Sequence, residues 1–129
     1  MSYYFNTTIN LDFAQAVDKV KDELKKEGFG VLTEIDVKDT FRKKLDIDFR
    51  NYRILGACNP SFAHRALLTE EKAGVMLPCN VVVEELEDRK VEVTAVDPVA
   101  SMSSIPNQEL ESIAGDVREK LKRVISNLG

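Results

Sequence analysis

Two short apolar runs, Tyr52–Pro60 and Val75–Val83, carry both cysteines of the chain. The first predicts a strand that ends on Cys58-Asn59, and the second predicts a strand that begins on Cys79-Asn80. A chain reversal between them would bring both thiols to one edge of a sheet. Because Asn59-Pro60 is typical of a helix start, Cys58 is expected beside the positive end of a helix dipole, which lowers a thiol pKa. We therefore predict Cys58 as a reactive thiol, with Cys79 as its resolving partner or co-ligand.

Both the cysteines and the single histidine also have simpler interpretations that require no reactive site. Free cysteines are among the most buried residue types, so Cys58 and Cys79 also fit a purely structural role in the core. His64, the single histidine, follows Cys58 with a C-x5-H spacing that suits a Cys/His couple or, with Cys79, a zinc or copper site. No third orienting group is recognisable, so we favour a solvated His64 and predict no metal. The candidate thiol or ligand site comprises Cys58, Asn59, His64, Pro78, Cys79 and Asn80.

The elements that must position this site follow from hydrophobic periodicity. Tyr3–Ile9 alternates with period two and predicts a first strand, and Phe13, Val17, Val20 and Leu24 then mark one face of a helix that ends at Gly28. Strands are predicted at 30–37, with Val31, Thr33, Ile35 and Val37 on one face, and at 52–58, where Gly56 permits the close approach of another group. Strands at 81–86 and 91–96 are predicted to form a hairpin.

A short helix is predicted at 39–46, capped by Asp39, and another after Asn59. Residues 97–106 are predicted as irregular, and Asn107 caps a final long helix whose apolar residues, among them Ile113, Ala114 and Val117, keep helical spacing. The order is β-α-β(4)-α, an α+β fold in which two long helices cover one face of an antiparallel sheet.

Composition narrows the function classes. A chain of 129 residues with 43% hydrophobic residues has the size of a single domain, which we predict to span residues 1–129. Its formal net charge of -4 is unfavourable for binding the phosphate backbone of nucleic acids. We therefore predict no nucleic-acid partner. No apolar run approaches the roughly 18 residues of a membrane span, and the N-terminus has no basic segment followed by an apolar one. These features predict a cytoplasmic protein without a membrane partner, and its thiols are expected to be reduced.

Several separated motifs resemble one family. Gly28–Asp36, Tyr52–Pro60, His64–Leu67 and Gly74–Val83 occur in the order found in the prokaryotic family called domain of unknown function 302. The resemblance implies a topology similar to one repeat of the TATA-box-binding protein, and it implies a homodimer. It implies no activity, since the family's Cys-Asn and Pro-Cys-Asn motifs carry no agreed role, and a fold shared with a DNA-binding protein transfers no function.

Two hypotheses of function follow. In the first, the protein is a small-ligand or redox-related binding module whose site lies at Cys58 and Cys79, with Asn59, Asn80 and His64 shaping the pocket. In the second, it is a non-catalytic homodimeric interaction domain with structural cysteines. No residue is assigned a catalytic role, and the sequence indicates no particular substrate or cofactor.

Overall fold

The structure, a computed structural model, describes residues 2–129 and confirms the predicted α+β fold. These residues form five strands, five α-helices and one 3-10 helix. The strands are β1 (Tyr4–Ile9), β2 (Gly30–Asp36), β3 (Tyr52–Cys58), β4 (Cys79–Glu85) and β5 (Val91–Val96). The helices are α1 (Phe13–Lys26), α2 (Val37–Leu45), α3 (Pro60–Thr69), the 3-10 helix (Glu71–Met76), α4 (Pro98–Ser101) and α5 (Gln108–Leu128).

All strand pairs are antiparallel in a single sheet with the order β1-β5-β4-β3-β2. The short polar turn between β4 and β5 makes them a hairpin, as the sequence predicts. The two cysteine-bearing strands, β3 and β4, are neighbours near the middle of the sheet, so both cysteines lie at the same end of the sheet.

The core lies between one face of the sheet and the two long helices. Alternate strand residues such as Leu55, Val81 and Val93 are fully buried and share one cluster with Val20 of α1 and Leu121 of α5. Burial of aliphatic side chains of this kind stabilises a fold by about 1.5–3 kcal/mol each. None of the helices in residues 2–129 is both long and apolar enough to cross a bilayer.

Helix starts agree with the sequence for α1, α3 and α5 and differ for α2 and α4. Asp12 and Asn107 cap α1 and α5 by accepting hydrogen bonds from Gln15 N and Leu110 N. The helix α2 begins earlier than predicted, because Asp36 rather than Asp39 is its N-cap and accepts from Asp39 N at 2.9 Å. Residues 98–101, predicted as irregular, form the short helix α4, in which Asp97 accepts from Val99 N.

Strand β2 departs from the simple alternation predicted for it. Val31 pairs with Ala57 but Thr33 pairs with Gly56, so Leu32 is the extra residue of a β-bulge. The bulge moves Thr33 and Ile35 to the opposite face from Val31. The prediction that these three side chains share a face was therefore wrong, because a period-two pattern does not reveal an inserted residue.

Candidate functional site at the thiol end of the sheet

Both cysteines lie at one end of the β3–β4 pair, here called the thiol end, but they differ in orientation. Ala57 is the residue directly opposite Cys79, and Cys58 is one position further along β3. Because successive strand residues point to opposite faces, Cys79 shares the core face with Ala57, whereas Cys58 belongs to the other face. Both thiols are free. A disulfide requires Cβ atoms about 4 Å apart that face each other, and the alternation of strand faces does not favour that arrangement for Cys58 and Cys79.

Cys79 is enclosed by the protein, with only 7% of its surface exposed. Burial raises the pKa of its thiol to about 11, and the negative charge that Cys58 would carry acts in the same direction. The thiolate is the reactive form of cysteine, so Cys79 is held as an unreactive neutral thiol near pH 7.

Cys58 is half-buried, ends β3 and is followed by Asn59 and by Pro60, the first residue of α3. Asn59 occupies the N-cap position, but its side chain makes no capping hydrogen bond. Its Nδ2 instead donates to the carbonyl oxygen of Glu27 at 3.3 Å, just before the left-handed residue Gly28. This contact joins the start of α3 to the end of α1 and leaves Cys58 as the more accessible thiol.

The absence of a side chain at Gly56 allows Pro78 to pack closely against β3 at the thiol end. A Cβ at Gly56 would contact Oγ1 of Thr33 and would lie 2.8 Å from Cγ of Pro78. The close approach predicted at Gly56 is thus made by these two side chains, and the Leu77-Pro78 peptide bond is cis. Asn80, opposite Gly56, is exposed on the face that does not carry the core.

A small cavity of about 30 Å³ lies at the thiol end, beneath α3. At about 10–15 Å³ for each water-sized sphere, it has room for about two water molecules. Its walls come from the ends of β3 and β4, from α3, α4 and α5, and from the loops beside them. The residues lining it are Phe29, Ala57, Cys58, Asn59, Phe62, Ala63, Ala66, Leu77, Pro78, Cys79, Pro98, Met102, Ile113, Ala114 and Val117.

Of the six candidate site residues, Cys58, Asn59, Pro78 and Cys79 border this cavity, whereas His64 and Asn80 do not. His64 is exposed on α3, as expected for a solvated histidine. Within residues 2–129, no three His, Cys, Asp or Glu side chains are grouped so that they could hold a metal ion. The arrangement of Cys58, Cys79 and His64 as three metal ligands is therefore not formed.

Sequence reasoning missed the far walls of the cavity. Ile113, Ala114 and Val117 were recognised as the buried stripe of the last helix, but nothing in the sequence indicates that this stripe faces the cysteines. Met102 lies in a serine-rich segment that lacks periodicity, and its burial depends on the α4 turn that Asp97 caps. The only available signal was the apolar character of each segment, which does not specify the partner across the core.

Comparison with known proteins identifies relatives of the whole chain. A family model described as "Domain of unknown function DUF302" matches residues 5–128. The chain is also similar to a solved structure described as the crystal structure of uncharacterized conserved protein DUF302 from Bacillus stearothermophilus. The two share 25% identity with a TM-score of 0.92, and the match covers 100% of both chains. Comparison with curated proteins found no match. The family match over nearly the whole chain, together with the shared fold, shows that this protein belongs to the DUF302 family.

Proposed function

We propose that the protein is a small-ligand or redox-related binding module whose site is the cavity at the thiol end. The observation that carries this proposal is that both cysteines border the same cavity, one half-buried and the other enclosed. In this arrangement Cys58 is the thiol that contacts reagents or ligands, and Cys79 is an uncharged thiol that forms part of the cavity wall.

The register argues against a simple dithiol mechanism. Because Cys58 and Cys79 point to opposite faces of the sheet, Cys79 is better placed as a wall than as a resolving thiol. The proposal therefore rests on chemistry at one sulfur, with Asn59 and Pro78 beside it at the rim. Both free thiols agree with a reducing compartment, and we propose the cytoplasm.

Iodoacetamide labelling of the native protein, followed by peptide mass spectrometry, tests the assignment. We expect Cys58 to be alkylated at neutral pH and Cys79 to be protected until the protein is unfolded. Cys79→Ser should leave the labelling rate of Cys58 unchanged, and Cys58→Ser should remove native labelling. If Cys58 reacts only above pH 8.5, at the rate of an ordinary thiol, or only after unfolding, the reactive-thiol role fails.

A second candidate function, a homodimeric interaction domain with structural cysteines, is favoured by the other face of the sheet. The register places Ile35, Ile54, Val82, Thr94 and Asn6 in one row across all five strands, on the face opposite the core. Every side chain in this row is half-buried or exposed. A row that is apolar over three neighbouring strands suits contact with a second copy.

Sedimentation of the wild-type chain and of Val82→Glu tests this alternative. A dimer that uses the row should dissociate when a charge is placed at its centre, whereas Lys19→Glu on the exposed side of α1 should leave it intact. A monomeric wild type, or a dimer unaffected by Val82→Glu, would reject the row as the interface. Replacing both cysteines by Ser separates the two functions in cells, since an interaction domain should keep its function and a thiol site should lose it.

A further inference from the structure

We propose that the cavity at the thiol end receives an apolar group of a small molecule, with Phe62 as the side chain that gives way to admit it. This inference deepens the proposed function and rests on it only for the location of the site, because binding of an apolar group does not require a reactive thiol.

The walls offer an apolar group favourable contacts and offer a charged group none. Side chains lining the cavity are aliphatic, aromatic, thioether or thiol, apart from the amide of Asn59. The Nδ2 of Asn59 is already committed to the carbonyl oxygen of Glu27. No carboxylate, ammonium or guanidinium group of residues 2–129 lines the cavity, so a bound charge would be desolvated without a partner.

The floor and the rim differ in accessibility. Ala57, Ala66, Cys79, Met102 and Ala114 are buried, and they form the closed end. Three rim residues, Cys58, Asn59 and Pro78, are half-buried and reach the surface. A ligand would therefore place its apolar end against the floor and its remaining atoms at the rim beside Cys58.

Phe62 is the wall best placed to move. It is half-buried on α3 and packs against both hydrophobic clusters of the protein, one beneath the sheet and one beside α4. The Nζ of Lys120 and the Cζ of Arg65 lie 5.9 and 5.5 Å from its ring centroid, so the ring separates the cavity from charged groups at the surface. The neighbouring cavity residues on α3, Ala63 and Ala66, carry only a methyl group, so Phe62 is the one large side chain that α3 contributes to the cavity wall.

The volume of the cavity determines which small apolar molecules can be used to test binding. At about 30 Å³ it holds a methyl-sized group, a xenon atom is slightly larger and enters only as Phe62 gives way, and benzene requires a cavity of roughly 150 Å³. Truncation of Phe62 to alanine should enlarge the cavity, and a larger residue at the half-buried Ala63 should fill it. Leu67→Ala, at a residue of the same helix that does not line the cavity, is the matched control.

The experiment is a titration with xenon and with benzene, in which NMR spectra of the methyl groups report binding. We expect saturable xenon-induced shifts at the methyl groups of Ala57, Ala66 and Met102 in the wild type and in Leu67→Ala. Ala63→Leu should lose them, and Phe62→Ala should bind benzene at least tenfold more tightly than the wild type. Wild-type shifts that do not saturate, or that persist unchanged in Ala63→Leu, would overturn the proposal even if Phe62→Ala fails to fold.

The alkylation rate of Cys58 and the xenon response, both measured on the wild type, separate this inference from the proposed function. Xenon binding in a protein whose Cys58 is unreactive would sustain the apolar site and reject the thiol role. A reactive Cys58 without xenon binding would do the reverse.

Discussion

The two ends of strand β4 are built from opposite chemistry. At the thiol end Cys79 contacts apolar residues and borders a cavity, whereas at the other end Glu84 and Glu85 are paired with the two residues that precede β3. Arg50 Nη2 lies 3.2 Å from Glu84 Oε2, and Asn51 Nδ2 donates to Glu85 Oε1 at 3.2 Å. We call this second region the acidic end.

The difference shows which end of β4 has groups and space free to bind an external molecule. The carboxylates at the acidic end are largely satisfied within the chain, and Asn6 on β1 donates to the neighbouring Glu92 on β5. The thiol end keeps space and an accessible sulfur. A site for an external molecule is therefore better supported at the thiol end, and the variants below test that contrast.

The largest effect is expected from a charge placed at the thiol end. Cys79→Asp would bury a carboxyl group among apolar side chains, where it must either remain an unpaired anion or take up a proton. Burial of such a polar group costs about 2–7 kcal/mol, and we expect the free energy of unfolding to fall by about 3 kcal/mol or more. Urea denaturation measures this loss. Asn80→Asp, at the exposed next residue, should change stability by no more than about 0.5 kcal/mol, and equal losses in the two variants would contradict the burial contrast.

The thiol of Cys79 should also make stability depend on alkaline pH. Its folded-state pKa is raised from 9.0 to about 11, so the folded protein holds this proton more tightly than the unfolded chain does. The contribution to stability is complete below the ordinary thiol pKa of 9.0 and is lost as the pH rises through about 11. A shift of roughly two pKa units corresponds to about 2–3 kcal/mol at most.

Urea denaturation of the wild type and Cys79→Ala at pH 8 and pH 10.5 isolates this contribution. Lysine and tyrosine side chains titrate in both proteins, so the measurement is the difference between the two pH dependences. We expect the wild type to lose more stability than the variant over this interval. Parallel curves would show that Cys79 titrates as an ordinary exposed thiol.

Gly56 tests how tightly the rim of the thiol end is packed. In Gly56→Ala the new methyl group would clash with Thr33 and with the Pro78 ring, and such overpacking costs about 1–3 kcal/mol. Gly30→Ala is the control, because a Cβ there meets nothing within 4 Å, and we expect a neutral or slightly stabilising change. Thermal denaturation compares the two. A Gly56→Ala protein as stable as Gly30→Ala would mean that the rim yields more easily than its contacts suggest.

The sequence predicted the elements of the thiol end better than their arrangement. Strands β3 and β5 have the predicted bounds, because each apolar run ends at a clear signal such as Asn59-Pro60. The common end of the two cysteines followed from the chain reversal. The faces of the sheet to which the two cysteines belong could not be predicted. Cys79 pairs with Ala57 rather than with Cys58, and this shift of one residue places the Cys58 side chain on the opposite face without any change in composition.

The cavity was beyond sequence reasoning for a related reason. It depends on α3, α4 and α5 meeting at small residues such as Ala66 and Ala114, and such three-way packing is a property of tertiary structure. A helical stripe identifies which residues are buried, as it did for α5. It does not identify where the facing surfaces fail to fill the space between them.

The smallest effect is expected at the acidic end, where Glu92 faces Glu84 across the β4–β5 pair. Partial burial, followed by the hydrogen bond and charge of Glu84, raises the pKa of Glu92, whereas the hydrogen bond from Asn6 acts in the opposite direction. A raised folded-state pKa means that this carboxyl stabilises the fold more as the pH falls towards that value, and less at pH 7. Glu92→Gln removes the repulsion and should raise stability at pH 7 by up to about 0.5 kcal/mol, since the site is partly open to solvent. The gain should shrink as the pH falls, because protonation of Glu92 in the wild type removes the same negative charge. Urea denaturation at pH 7 and pH 4 checks both expectations, and a destabilised variant at pH 7 would show that Arg50 and Asn6 already satisfy both carboxylates.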